Sequence, residues 1–106
     1  MVVSAVSGCA APLQEAPLPA GVDVTRDTVI SGIVRAGGAP VGGAYVRLLD
    51  HTGEFAAEVV TSAAGEYRFF AAPGDWTLRV LSRSGNARAR LTAVPGINPT
   101  DITVAA

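Results

Sequence analysis

The sequence contains a single cysteine, whose thiol is the most reactive type of side chain present, and it lies close to the beginning. Cys9 belongs to the stretch "AVSGCAAP", residues 5–12. Small residues precede a lipidated bacterial cysteine, but such a signal also needs a basic region and an apolar segment of at least about 7 residues, which "MVVSAV" does not supply in full. A persulfide carrier needs a thiol whose pKa is lowered by a nearby cation, and residues 1–25 contain no basic residue. An unreactive thiol is the simplest interpretation, and the other two stay open.

The only histidine lies in the stretch "DHTGE", where His51 stands between Asp50 and Glu54. A metal site normally has three or four convergent ligands, and a single histidine between two carboxylates falls short of that. A hydrolase triad would need this same histidine to meet a nucleophile and an orienting acid. We therefore predict a protein with no catalytic residues, no metal and no cofactor.

Charge and composition exclude several classes of partner. The chain of 106 residues has eight basic residues, all of them arginine, and nine acidic ones, giving a net charge of −1. This balance produces no long-range field that would attract nucleic acid or an acidic membrane. No stretch approaches the roughly 18 apolar residues of a membrane helix, and one cysteine cannot close a disulfide within the chain. We expect a cytoplasmic protein, with an exported lipoprotein as the alternative.

The amino-acid composition changes once along the length of the sequence. Three prolines within residues 1–27 remove backbone donors and favour extended conformations, so this part is predicted to be a flexible Pro-rich arm. Residues 28–106 are predicted to form one domain, because β-branched and apolar runs alternate there with Gly, Pro, Asn and Asp. Seven runs are predicted as strands: 28–35, 44–50, 55–61, 66–71, 75–82, 86–94 and 100–106.

Alternation of apolar and polar residues identifies the core face of these strands. Trp76, Leu78 and Val80 share one face of their strand, as Tyr67 and Phe69 do in theirs. The other predicted core residues are Val46, Leu48, Val59, Ala87, Ala89, Leu91, Ile102 and Val104. Short connections favour antiparallel neighbours, and "SAAG" at 62–65 suits a hairpin. Seven strands without a helix predict an all-β fold of two packed sheets, a seven-stranded antiparallel sandwich.

Several apolar residues point away from this predicted core. They are Val60, Phe70 and Leu81, with Leu49 at the margin. Such a patch is typical of an interaction surface or of a surface covered by another part of the chain. The arm with its Leu13, a second protein or a second copy could each cover it. Arginines occupy further outward positions, namely Arg47, Arg68, Arg79, Arg88 and Arg90, where a solvated face and a small anion site are the two interpretations. A pair between Glu58 and Arg68 depends on the strand register.

The series "ISGIVRAGGAPVGGAYVRLLDHTGEF", "TSAAGEYRFF" and "APGDWTLRV" resembles the carboxypeptidase regulatory-like repeat. This resemblance implies a seven-stranded sandwich of transthyretin-like topology and indicates almost nothing about function. Two enzyme groups share that architecture. The hydroxyisourate hydrolases use several histidines and a C-terminal Tyr-Arg-Gly-Ser, and the intradiol dioxygenases hold iron with two tyrosines and two histidines. The single histidine and the end "ITVAA" match neither group.

A closer resemblance covers most of the chain. The stretches "CAAP", "LPAGVDV", "VGGAYVRLLD" and "GEYRFFAAPGDWTLR" are similar to a small actinobacterial family of unknown function whose members are typically encoded beside thiosulfate sulfurtransferases. The resemblance implies a link to sulfur metabolism and brings no catalytic residues. We predict a noncatalytic accessory or protein-binding module whose partner is a sulfurtransferase or a second copy of itself. A persulfide carrier and a lipoprotein, both using Cys9, are the alternatives.

Overall fold

The computed structural model describes residues 27–104, and within them nine β-strands form two sheets. The strands are β1 (Thr28–Ala36), β2 (Ala39–Pro40), β3 (Tyr45–Leu49), β4 (Phe55–Val60), β5 (Glu66–Ala71), β6 (Gly74–Ser82), β7 (Gly85–Ala93), β8 (Gly96–Pro99) and β9 (Ile102–Thr103). Residues 1–26 of the predicted arm and the last two residues of the predicted seventh strand lie outside the described residues. Residues 27–104 include no helix long and apolar enough to cross a membrane.

The first sheet is built around β1, which pairs with four other strands. β5 and β2 lie antiparallel to β1, whereas β8 and β9 run parallel to it. The expectation of antiparallel neighbours is therefore wrong at this edge. That expectation applies to strands joined by a short connection, whereas β8 and β9 pair with residues that lie 68 positions earlier in the chain, so no short connection limits their direction.

The second sheet has the order β4-β3-β6-β7 and is antiparallel throughout. β4 and β5 consequently belong to different sheets, and the predicted hairpin at 62–65 is wrong. The local reason is that Gly65 adopts a φ of +77° and its carbonyl oxygen accepts a 2.8 Å hydrogen bond from Val34 N. This bond turns the chain away from β4 and places it against β1, so the segment connects the two sheets.

The hydrophobic core lies between the two sheets, and the predicted core faces are confirmed. Tyr67, Phe69, Leu78 and Val80 are at most 1% exposed. Trp76 is partly buried and packs against this cluster, while its indole Nε1 donates a 2.8 Å hydrogen bond to the carbonyl oxygen of Ala72. The strand alternation therefore assigns the inner face of each sheet correctly.

Two short strands occupy stretches that the sequence marks as turns. β2 lies within "AGGAPVGG" and β8 within "PGINP". In β8 the side chain of Asn98 bonds to the neighbouring backbone: its Nδ2 donates to the carbonyl oxygens of Val29 (3.0 Å) and Val94 (2.8 Å). Its Oδ1 accepts from Val94 N at 3.0 Å. Proline at the end of β8 is tolerated because the strand is at a sheet edge.

Candidate interaction surface

The outer face of the four-stranded sheet has an apolar region on one side. In the strand register, Tyr45 lies opposite Val60 on β4 and opposite Leu81 on β6. Four residues further along β3, beyond Arg47, Leu49 lies opposite Phe55, after a register shift between Leu48 and Leu49. These residues form what we call the apolar patch: Tyr45, Leu49, Phe55, Val60 and Leu81.

The aromatic members of the apolar patch are accessible to solvent. Tyr45 is 50% exposed and Phe55 is 61% exposed, which places both among the most exposed large hydrophobic side chains of residues 27–104. Leu49, Val60 and Leu81 are half-buried. Three of the four residues that the sequence predicts for an interaction surface thus lie on this one outer face, with Leu49 separated from Val60 and Leu81 by Arg47 and Glu58. Phe70 is not with them, because it lies on β5 in the other sheet, opposite Val29.

Arginines form a row across the same outer face, beginning with Arg47 between Tyr45 and Leu49 on β3. Arg79 on β6 lies opposite Arg47 on β3 and also opposite Arg88 on β7. Arg90 follows two residues after Arg88 and lies opposite Thr77. Like charges that are directly opposite in a sheet repel each other by roughly 0.2–1 kcal/mol. The repulsion between these arginines therefore destabilises this face of the sheet locally.

Only one of these arginines has a carboxylate partner within residues 27–104. Arg47 Nε donates to Glu58 Oε2 at 2.7 Å across the β3–β4 pair, which replaces the pairing of Glu58 with Arg68 that the sequence left open. The guanidinium groups of Arg79, Arg88 and Arg90 have no ion pair or hydrogen bond in this part of the chain. Three exposed guanidinium groups are thus left available for an external anion.

A groove of about 810 Å³ runs over the arginine side of this face. Its lining includes Thr77, Arg79, Arg88, Arg90 and Thr92 from β6 and β7. The loop at 50–53, which connects β3 to β4, lines it on the side of β3. We call this the arginine groove.

The loop beside the arginine groove is held in place by its own carboxylate. Asp50 Oδ1 accepts hydrogen bonds from Thr52 Oγ1 (2.5 Å), Thr52 N (2.9 Å) and Glu54 N (3.0 Å). These bonds, first of all the one from the Thr52 hydroxyl, hold the pKa of Asp50 below its usual value. Asp50 is therefore engaged within its own loop. On the opposite side Asp75 Oδ1 accepts from Thr92 Oγ1 at 2.7 Å.

The remaining residues with reactive side chains do not converge. Cys9 lies outside the described residues, so the persulfide and lipidation hypotheses stay predictions. His51 is exposed in the loop that flanks the arginine groove. Residues 27–104 contain no group of three or more His, Cys, Asp or Glu side chains that could hold a metal ion.

The buried tyrosine of the core is held as a neutral phenol. Tyr67 Oη donates to the carbonyl oxygen of Thr100, and burial, helped by the charge of Asp101, raises the pKa of Tyr67 far above its usual value. A metal-bound tyrosine is a phenolate, which these surroundings disfavour. With a single histidine in the whole chain, the residues do not fit the iron ligand set of two tyrosines and two histidines.

Sequence reasoning missed Tyr45 and Phe55, for two different reasons. The outward position of Tyr45 follows from the sequence, because Val46 and Leu48 are predicted core residues and alternation directs Tyr45 to the other face. The place of Phe55 beside Leu49 does not follow from the sequence, since it depends on the irregular register at Leu48 and Leu49, and a bulge has no clear sequence signal here.

Comparison with solved structures agrees with the class of fold, an all-β sandwich. Chlorocatechol 1,2-dioxygenase from Pseudomonas putida is similar with a TM-score of 0.58 and 12% identity, over 99% of this chain and 70% of that chain. The dioxygenase domain of a dioxygenase carbohydrate-binding protein fusion from Streptomyces sp. SirexAA-E is similar with a TM-score of 0.57 and 12% identity, over 98% of this chain and 97% of that chain. At such low identity these likenesses show the fold alone.

Sequence comparison assigns the family. Residues 9–104 match the family described as "Protein of unknown function (DUF1416)", and the chain belongs to it. The uncharacterized protein Rv0814c of Mycobacterium tuberculosis is 52% identical over 98 residues, which cover 91% of this chain and 98% of the relative. An uncharacterized protein of Mycolicibacterium smegmatis is 54% identical over 92 residues, covering 83% of this chain and all of the relative.

Proposed function

We propose that this protein is a noncatalytic accessory module that binds another protein through the outer face of its four-stranded sheet. The observation that carries the proposal is the apolar patch, in which Tyr45 and Phe55 are at least half exposed beside unpaired arginines. Aromatic residues and arginine are enriched in protein interfaces and among the residues that contribute most of the binding energy. An exposed apolar patch bordered by polar residues is typical of such a site.

The arginines favour a different protein over a second copy of this chain. A two-fold symmetric dimer buries the same patch on both subunits. Such a contact, with its two-fold axis running across the strands along the row of arginines, would bring the guanidinium groups of Arg79 and Arg88 towards their symmetry mates, and like charges in an interface cost several kcal/mol. A partner surface with apolar side chains next to carboxylates would complement both the apolar patch and the arginines. The sulfurtransferase implied by the sequence resemblance is a candidate only if its surface has this chemistry.

Support for a noncatalytic role comes from the state of the carboxylates on this face. An acid and base pair needs two carboxyl groups whose surroundings set their pKa values apart, usually with one of them desolvated. Asp50 and Asp75 instead accept hydrogen bonds from threonine hydroxyls, and Glu58 accepts from Arg47. Each of these carboxylates is thus occupied with fixing local structure.

The test uses one substitution on the apolar patch and a matched one on the other sheet. Tyr45 and Ile97 are both 50% exposed, and Ile97 belongs to β8 of the first sheet. The full chain, its Tyr45→Asp variant and its Ile97→Asp variant are expressed at natural levels in the encoding organism, with a photo-crosslinking residue at Ser84 in the turn after β6. Crosslinked proteins are quantified by mass spectrometry, and thermal melting shows that both variants are folded.

The expected result is a partner that the wild-type chain and Ile97→Asp retain and that Tyr45→Asp loses by at least tenfold. The same partner, purified, then binds the wild-type chain in solution with a fixed stoichiometry. Retention by Tyr45→Asp would contradict the proposal, as would the absence of any partner. A concentration-dependent homodimer that Tyr45→Asp dissociates would contradict the choice of a different protein.

A further inference from the structure

We infer that the arginine groove binds an extended acidic segment of the partner in which two carboxylate residues are separated by one residue. This inference rests on the proposed function and deepens it, because it states the chemistry of the partner. It is carried by the spacing of the three unpaired guanidinium groups, by the preformed groove around them and by the distribution of acidic residues in this chain.

The spacing comes from the pleat of β7. Arg88 and Arg90 are two residues apart on one strand, so their side chains leave the same face about 6.8 Å from each other. An extended peptide has the same period, so acidic residues at positions i and i+2 present their carboxylates at a matching distance. Each guanidinium can then meet one carboxylate with two parallel hydrogen bonds.

The third guanidinium strengthens one end of this arrangement. Arg79 lies directly opposite Arg88, and such cross-strand neighbours have Cβ atoms about 4.5–5.5 Å apart. A carboxylate placed between them would accept hydrogen bonds from both groups and remove their mutual repulsion. We therefore expect Arg88 to contribute more to binding than Arg90, because only Arg88 has an arginine as its cross-strand neighbour on β6.

The walls of the groove favour a segment of defined path. The loop at 50–53 is fixed by three hydrogen bonds to Asp50 Oδ1, and Asp75 is held by Thr92. Both flanking carboxylates belong to rigid local structure and repel an acidic ligand that is placed outside the row of arginines. A volume of about 810 Å³ is within the range of roughly 300–1,000 Å³ that accommodates a ligand well beyond the size of a single ion.

The 106 residues of this sequence do not contain such an acidic segment. Its nine acidic residues are Glu15, Asp23, Asp27, Asp50, Glu54, Glu58, Glu66, Asp75 and Asp101, and no two of them are separated by a single residue. Neither the residues before Asp27 nor a second copy therefore offers the required spacing. The occupant is a segment of a different protein.

Two peptides of equal composition and charge test the spacing. Acetyl-Glu-Ala-Glu-Ala-Glu-amide has carboxylates at positions i and i+2, and acetyl-Glu-Glu-Ala-Ala-Glu-amide has none at that spacing. Each is titrated into the full-length protein at low, constant ionic strength, and the NMR signals of the arginine Nε–H groups report the Kd. We expect the first peptide to bind at least fivefold more tightly, with the largest shifts at Arg79, Arg88 and Arg90.

Variants assign the effect to the groove. Arg88→Gln should weaken binding of the first peptide about fivefold and abolish its advantage over the second peptide. Arg90→Gln should weaken it about threefold. Arg83→Gln is the matched control, because this exposed arginine lies in the turn between β6 and β7, and it should change the Kd by less than twofold. Thermal melting confirms that the variants are folded.

Three results would overturn the inference: equal Kd values for the two peptides, no saturable shift with either, or tighter binding of inorganic phosphate than of the first peptide at the same ionic strength. The last result would identify a small oxyanion site. Failure here is separable from failure of the proposed function. If Tyr45→Asp loses the cellular partner while the peptides do not differ, the protein-binding face stands and the acidic segment is wrong.

Discussion

Gly32 in the middle of β1 lies against the chain that returns between β8 and β9. A Cβ atom added at Gly32 would lie 1.9 Å from the carbonyl oxygen of Thr100 and 2.5 Å from its carbonyl carbon. Neighbouring groups cannot absorb such a contact by rotating a side chain, because the obstacle is backbone. Substitution Gly32→Ala must therefore move β1 and the segment around Thr100 apart.

The size of the effect follows from what anchors this segment. Thr100 N donates a 2.7 Å hydrogen bond to Ser31 O, and the carbonyl oxygen of Thr100 accepts from the Tyr67 hydroxyl. Each lost hydrogen bond costs about 0.5–1.5 kcal/mol, and overpacking adds about 1–3 kcal/mol. We expect Gly32→Ala to lower the free energy of unfolding by about 4 kcal/mol, which corresponds to a fall in Tm of roughly 16–32 °C.

Gly42 provides the matched control. A Cβ atom at Gly42 would lie 3.0 Å from Ser62 O and 3.1 Å from Ala63 Cα, and Ala63 is in an exposed turn that can shift slightly. Replacement of glycine by alanine at a compatible position stabilises a protein by about 0.4–1 kcal/mol through the unfolded state. These two effects oppose each other, so Gly42→Ala should change the stability by less than about 1 kcal/mol.

Urea unfolding followed by tryptophan fluorescence measures both variants, since Trp76 packs against the core. The midpoint should fall strongly for Gly32→Ala and stay near the wild-type value for Gly42→Ala, with the slope m unchanged in both. A Gly32→Ala protein whose stability is within 1 kcal/mol of the wild type would refute the close approach of β1 to Thr100, and with it the packing of this end of the first sheet.

Three further predictions concern hydrogen bonds and charges. Tyr67→Phe should lower the free energy of unfolding by about 1–3 kcal/mol. Because folding keeps Tyr67 protonated, the stability of the wild type should also fall above about pH 10. Urea titrations at several pH values should show that this loss is weaker in the variant. The hydrogen bond from Arg35, followed by that from Ile33, lowers the pKa of Asp101, so the contribution of Asp101 to stability is present at neutral pH and lost in acid. Asp101→Asn should therefore lower the Tm at pH 7. The difference in Tm from the wild type should shrink as the pH falls below the usual pKa of aspartate. Arg88→Gln should raise stability by about 0.2–1 kcal/mol because it removes repulsion from Arg79, and an unchanged or lower urea midpoint would contradict that.

The core face of each strand could be predicted from the sequence, because alternation is a local signal. Leu78 and Val80 alternate with Thr77 and Arg79, and the structure buries the first pair at 0% exposure. The partners of each strand could not be predicted in the same way. Nothing within the last ten residues indicates that β9 lies parallel to β1, because this pairing forms between the two ends of the domain.

The candidate site was partly predictable for the same reason. Outward positions of Leu49 and Leu81 follow from alternation, so each residue could be placed on an outer face. Which outer face they share depends on strand order, and Phe70 belongs to the other sheet because the link at 62–65 changes sheets. The arginine row likewise needs the observed register, since Arg79 faces Arg88 only in that alignment.

The central claim is that the outer face of the four-stranded sheet binds another protein, and the paired substitution of Tyr45 and Ile97 tests it most directly. Both side chains are equally exposed, so a general effect of a new surface aspartate is the same in both variants. The amount of partner crosslinked by Tyr45→Asp, relative to Ile97→Asp, should fall at least tenfold. Equal amounts with the two variants would contradict the claim and remove this face as the site of function.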